Sequence, residues 1–256
     1  MARIDSNSNL ASNVDTYMQA LVALDRFSGS ILIAREGDVL VSKGYSLANR
    51  EHGVPNTPQT KFRIGSVTKQ FTAMAILMLQ HQGKLQVQEP ISKVLPDCPN
   101  AWQRVTIHHL LNHTSGIPEH TDRLDWKTTG RSPLAVQDLI DLFKDRPLDF
   151  QPGEDHRYSN SGYIVLGQII EQVARMSYEA FVNEHMFEPL GMANTGYDWN
   201  NRVLEYRAMG YDLRHDRFVN ADYLDMSIPH AAGALYSTVE DLLLWDQALY
   251  TERLVP

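Results

Sequence analysis

Two short stretches carry residue types that can do chemistry together. In Ser66-Val67-Thr68-Lys69 a hydroxyl and an amine stand three positions apart. Residues at that spacing share one face of a helix, so the two groups can meet within hydrogen-bonding distance. A hydroxyl beside an amine is a nucleophile beside a base, provided that the lysine is neutral. Burial and the positive end of a helix dipole both disfavour the charged form of Lys69. The same helix N-terminus offers the Ser66 backbone N–H to an oxyanion forming on a substrate carbonyl. The competing reading makes Ser66 a helix cap and leaves Lys69 in water. Against it, every residue from 71 to 79 except Thr72 is apolar or alanine, which predicts a buried helix.

The second stretch is Tyr158-Ser159-Asn160. A tyrosine just before a helix can relay a proton between an attacking hydroxyl and a leaving group, if a nearby ammonium lowers its pKa. Asn160 suits either Lys69 or a substrate amide. Here the alternative is that Tyr158 packs on the rim of the core while Ser159 or Asn160 caps the following helix. His108, His109 and His113 include a four-residue spacing that binds metal from one helical face. No glutamate stands between them and no carboxylate third ligand is evident, so they read as ordinary helix and turn residues, and no metal is expected. Glu154, Asp155 and His156 read as a solvated loop. No glycine-rich phosphate loop is present, so neither nucleotide nor other cofactor is expected.

The elements that must position these groups follow from periodicity and punctuation. A helix is predicted over 14–24, then a β-hairpin over 30–45 with Gly37 in its turn. Its strands alternate little, which predicts that both sheet faces are covered. Residues 46–60 read as loop. A helix is predicted over 66–82, stopped at Gly83. A short helix over 106–112, a turn at 113–118, a polar loop at 119–132 and a helix over 133–144 follow. The turn at 151–154 precedes helices over 161–176 and 178–187, the second ended by Pro189. Residues 191–228 read as irregular. Ser237 and Glu240 form a capping-box pattern ahead of a helix over 241–250.

The chain has 256 residues, 43% apolar and 21% charged, which excludes disordered, collagenous and coiled-coil classes. Its net charge is -8 and its Lys and Arg residues are scattered, which argues against nucleic acid or an anionic membrane. A small-molecule or short-peptide ligand is expected instead. Cys98 is the single cysteine, so no intrachain disulfide and no cysteine-rich metal site can form. The longest apolar stretch, residues 73–79, is far below the roughly 18–20 residues that cross a bilayer, so no transmembrane segment is predicted. The N-terminal residues show no secretory signal peptide, and the compartment stays open.

Taken in order, FRIGSVTKQFTAMAILMLQHQGKL around Ser66, LLNHTSGIP at 110–118 and FQPGEDHRYSNSGYIVLGQIIE around Tyr158 resemble the serine β-lactamase and penicillin-binding-protein superfamily. The branch they resemble most holds class C β-lactamases, D-aminopeptidases, carboxypeptidases and family VIII esterases. The resemblance runs from about Ser28 to the last residue. It implies an α/β (α+β) fold of the β-lactamase/transpeptidase type, a helical domain packed on an antiparallel sheet. Residues 1–65 would supply the N-terminal helix and strands, 66–228 the mainly helical domain, and 229–256 a return segment and helix toward the sheet. It further implies Ser66 as acylated nucleophile, Lys69 and Tyr158 as the pair that moves its proton, and Asn160 beside the substrate.

One departure qualifies these expectations. Superfamily members carry a third motif, Lys or His, then any residue, then Gly, on a strand beside the nucleophile. No such triplet follows Tyr158. Lys127-Thr128-Thr129-Gly130 precedes it and is one residue too long, as is His230-Ala231-Ala232-Gly233. The sheet is thus expected to be incomplete at the C-terminus and the chain to be a truncated serine hydrolase acting on an amide, β-lactam or ester carbonyl. An uncovered sheet edge would favour self-association or pairing with a missing C-terminal segment. The alternative is a non-catalytic, penicillin-binding-like interaction protein.

Overall fold

A computed structural model describes residues 6–122 and 128–256. The chain opens with helix α1 (Ser6–Ala23), longer at its N-terminal end than periodicity predicts. Strands β1 (Gly29–Arg35) and β2 (Asp38–Tyr45) form the predicted antiparallel hairpin. Its two turn residues, Glu36 and Gly37, both have positive φ, 52° and 91°. That conformation matches the twist of the strands and is cheap for glycine. The strand side chains are mostly half-buried, so the expected full cover of both faces is not reached. Helix α1 packs on β2, and Asp15 accepts a hydrogen bond from Lys43 at 2.5 Å.

The predicted loop at 46–60 contains a small ladder of β3 (Leu47–Asn49) and β4 (Val54–Pro55). Strand β5 (Phe62–Arg63) then enters a 3-10 turn, Gly65–Val67, which leads into α2 (Thr68–His81). Ser66 therefore stands in a tight turn ahead of the α-helix rather than inside it. Gly83 just beyond has φ 70°, as a helix stop requires. The apolar run buries Phe71, Ala75, Ile76 and Leu79, but Leu77 is 40% exposed, so the helix is not enclosed all round.

Helix α3 (Ile107–Leu111) is closed at its N-terminus by Thr106, whose Oγ1 accepts from the His109 N–H at 3.2 Å. The next helix, α4 (Val136–Asp141), is shorter than predicted. Helix α5 (Asn160–Ala174) follows the turn at 151–154 and buries nine of its fifteen residues. After α6 (Tyr178–Val182) the chain does not stop but widens into a π-helical turn, Asn183–Phe187, and continues as α7 (Glu188–Leu190). Pro189 lies in the first turn of α7, directly after the π-helical turn, and does not break the chain's course.

The region 191–228 is not wholly irregular. It holds β6 (Gly196–Tyr197) and an antiparallel pair, β7 (Tyr211–Arg214) and β8 (Arg217–Asn220). Their turn residues, His215 and Asp216, have φ 49° and 57°. No glycine marks that turn, which is why the sequence signal was weak. Helix α8 (His230–Gly233) and β9 (Leu235–Ser237) bring the chain back, and β9 lies between β5 and β6 in a three-stranded antiparallel sheet. Ser237 belongs to that strand. Thr238, not Ser237, caps α9 (Val239–Ala248), its side chain accepting from the Asp241 N–H at 3.2 Å. The core lies where α2, α5, α6 and α8 meet, with Phe71 against Phe187 and Trp245 at centroid distances of 5.5 and 4.2 Å.

Candidate active site

Ser66, Lys69, Tyr158 and Asn160 come together at the junction of α2, α5 and α8. The Tyr158 hydroxyl donates to Ser66 Oγ at 2.6 Å, and Lys69 Nζ lies 3.3 Å from the same oxygen. Lys69 Nζ also donates to Asn160 Oδ1 at 2.9 Å and to the Ala232 carbonyl at 2.8 Å. An ammonium has three donors and all three have an acceptor here. Remove one proton and the arrangement becomes directional. The Asn160 and Ala232 oxygens offer no hydrogen, so the two remaining N–H groups serve them and the lone pair turns to Ser66.

Lys69 is buried, with 6% of its surface exposed. Burial pushes its pKa below the ordinary lysine value, while attraction to Tyr158 and Glu119 pulls the other way. The rings of Tyr158 and Tyr163 flank the nitrogen at 4.7 and 5.3 Å from their centroids. Burial raises Tyr163 to about 12, so it stays a neutral phenol there, and its hydroxyl donates to the Leu111 carbonyl.

Tyr158 is aimed by His113. The two rings face each other at 4.7 Å and 35°. The residues on either side of Tyr158 bond to the same histidine: the Arg157 N–H donates to the His113 carbonyl at 3.0 Å and the Ser159 N–H to His113 Nδ1 at 3.1 Å. His113 Nδ1 is therefore an acceptor and its ring neutral, in keeping with a pKa lowered first by burial and then by Lys69. The turn that carries His113 needs Gly116, where φ is 71° and a Cβ would stand 2.0 Å from the Phe150 carbonyl oxygen. His109 instead accepts the Thr106 N–H in the cap of α3. Among the described residues no group of three or more His, Cys, Asp or Glu is placed to hold a metal.

Capping of α5 by Ser159 coexists with the contacts of Tyr158 to Ser66 and of Asn160 to Lys69. Ser159 caps α5, its Oγ accepting from the Gly162 N–H at 3.0 Å. Glu119, in the polar segment 119–132, completes the set. Glu119 Oε2 accepts from the Asn160 and Ser161 N–H groups at 2.7 and 3.2 Å, so the first three amides of α5 all have partners. Its signal in the sequence was nil, because nothing local relates position 119 to the helix at 160. Lys127, which opens the four-residue stretch Lys127-Thr128-Thr129-Gly130, lies outside the described residues.

A cleft of about 310 Å³ opens beside Ser66. Asn160 and Ala232 line it with Ser66, Leu224, Met226 and Ile228 give it an apolar wall, and the partly exposed Arg63 lines it too. Arg63 is anchored by its Nε, which donates to the buried Asp198 at 2.6 Å. Among the described residues no helix is long and apolar enough to cross a membrane.

Residues 11–255 match the family described as Beta-lactamase. The putative penicillin-binding protein PbpX of Bacillus subtilis is 36% identical over 228 residues, covering 89% of this chain and 56% of that protein. The chain thus spans about half the length of this curated relative. A penicillin-binding protein from Bacillus halodurans superposes with a TM-score of 0.84 at 32% identity, over 93% of this chain and 74% of that one. A D-stereospecific amidohydrolase from Streptomyces sp. superposes with a TM-score of 0.70 at 29% identity, over 77% of this chain and 63% of that one.

Proposed function

Because the chain belongs to the beta-lactamase family, we propose that it is a serine hydrolase working through an acyl-enzyme, with Ser66 as nucleophile. The observation that carries this reading is the seat of the Ser66 oxygen, 2.6 Å from the Tyr158 hydroxyl and 3.3 Å from a buried Lys69 whose other contacts are acceptors. Ser66 Oγ attacks the carbonyl carbon of an amide, β-lactam or ester, and its proton passes to the Lys69 and Tyr158 pair. The carbonyl electron pair moves onto oxygen beside the Ser66 amide. Collapse of that intermediate breaks the bond to nitrogen or oxygen, and the departing group takes a proton through Tyr158. Water then attacks the ester on Ser66 and frees the acid.

The apolar wall favours a substrate with a hydrophobic portion beside its reacting carbonyl. The division into a helical part, 66–228, and a sheet part, 1–65 with 229–256, belongs to the same reading; the pairing of β5 with β9 supports it.

A fluorescent penicillin and a fluorophosphonate test the reading. Stoichiometric labelling, an adduct mapped to Ser66 by mass spectrometry and loss of label in Ser66→Ala are expected. Absence of label from protein whose circular dichroism is that of the folded chain would assign it instead to a non-catalytic, penicillin-binding-like interaction role.

A further inference from the structure

The Asn160 carboxamide can point two ways, and only one of them leaves Lys69 usable. With Oδ1 toward the lysine, as found at 2.9 Å, the neutral amine donates to it and keeps its lone pair for Ser66. Turned round, the amide would present N–H groups to the same nitrogen. One of these would occupy the lone pair, and the base would be blocked. The carboxamide carries no intrinsic preference between the two orientations, so a neighbour has to decide.

Glu119 is placed to do so. It is 7% exposed, and Oε1 accepts from Asn160 Nδ2 at 3.1 Å while Oε2 takes the Asn160 backbone N–H at 2.7 Å. A carboxylate only accepts, so the Asn160 NH2 must face it and Oδ1 must face Lys69. Burial alone would raise the Glu119 pKa. Hydrogen bonding by Thr121, at 2.7 Å, together with His120, the Ser161 amide and Asn160, holds the carboxyl below its usual range and so ionised. We infer that Glu119 is a positioning residue of this site, which locks the Asn160 carboxamide and thereby aims the lone pair of neutral Lys69 at the Ser66 hydroxyl. The inference rests on the acyl-enzyme reading only for its consequence in rate; the lock itself is a matter of geometry.

Two measurements test it. In Glu119→Gln the new side chain brings its own NH2, which must confront donors that the carboxylate satisfied. Exchange of the Asn160 side-chain NH2 protons, followed by NMR, is expected to accelerate about tenfold or more as that lock opens. Labelling of Ser66 by the fluorescent penicillin is expected to slow about three- to a hundredfold, the range of coupling within one hydrogen-bond network. The same substitution made in Asn160→Ala should then cost little further. Should Glu119→Gln fail to fold, Glu119→Asp keeps charge and cap but shortens the reach to the carboxamide; its loss of rate should likewise vanish in Asn160→Ala.

The failures are separable. Protected Asn160 NH2 protons released by Glu119→Gln in a protein whose Ser66 never labels would sustain the lock and sink the hydrolase reading. A labelled Ser66 with a loss of rate undiminished by Asn160→Ala, or NH2 exchange unmoved by Glu119→Gln, would overturn the positioning role and leave the nucleophile standing.

Discussion

Lys69 Nζ donates to the Ala232 carbonyl at 2.8 Å, across 163 positions of sequence. The turn His230-Ala231-Ala232-Gly233, one residue too long for the family's third motif, thus supplies a main-chain acceptor to the lysine. Its neighbour Ala231 does the same for Thr72, whose hydroxyl donates to the Ala231 carbonyl at 2.7 Å. Helix α8 is in this way clamped along α2, and the direction of the Lys69 lone pair is a property of that packing.

Acylation of Ser66 should rise with pH. With Lys69 as the proposed base the reactive form is the neutral amine, so the rate should climb as pH passes upward through the Lys69 midpoint, which burial sets below the ordinary 10.5. Lys69→Arg, which keeps a charge and has no lone pair to offer, should abolish labelling at every pH. Second-order labelling rates against pH check both; a flat profile in the wild type would contradict the base assignment.

Stability should depend on His230. Its ring is buried and its pKa is pushed down to about 4, so the folded state refuses a proton that the unfolded chain takes near 6.5. Stability is therefore fully present above pH 6.5 and falls as pH drops toward 4, by about 3 kcal/mol for a shift of this size. Glu171 Oε1, 4.0 Å from His230 Nε2, would soften the loss by pairing with the charged ring. Urea midpoints of wild type and His230→Asn between pH 7 and pH 4 should converge as pH falls. Asparagine suits the site because φ there is 34°.

Asp198 is 1% exposed and accepts from Arg63 Nε at 2.6 Å and Arg207 at 2.7 Å. Removing one partner of a buried pair costs about 3–5 kcal/mol, and the lower end applies because both arginines reach solvent. Asp198→Ala should lower stability by about 3 kcal/mol on that basis and release Arg63 in the lining of the cleft. Denaturation in urea measures the first effect; a raised Kd for penicillin before acylation would report the second.

Gly116→Ala should be among the most damaging single changes near the site. The left-handed φ of 71° and a Cβ 2.0 Å from the Phe150 carbonyl oxygen leave the loop no room to keep its course. Backbone strain of this kind costs of the order of 1–3 kcal/mol before the clash is counted. A lowered Tm together with slowed labelling is expected, because the same turn carries His113 under the Tyr158 ring. Unchanged labelling in a folded variant would sever that link.

The contact between Ser66 and Lys69 and its setting were legible along the chain because they are local. A spacing of three brings Ser66 and Lys69 to one side of a helical turn whatever the rest of the fold does, and the apolar run beyond them forces burial. The hairpin at Gly37 and the stop at Gly83 were legible for the same reason, since glycine alone takes those φ values cheaply. Where local signals were weaker the reading slipped. Thr238 caps α9 in place of Ser237, and the β7–β8 turn uses His215 and Asp216 rather than a glycine.

What the sequence determined by itself was a hydroxyl with an amine beside it, on a fold family readable from three short motifs. Tertiary structure alone decided what that amine can do. Its other acceptors, Asn160 Oδ1 and the Ala232 carbonyl, arrive from α5 and α8, and the Glu119 carboxylate that orients Asn160 comes from a loop with no local tie to either. Hydrogen-bond direction depends on where such distant groups come to rest when the core closes. Periodicity and spacing describe single elements, so they are silent on it.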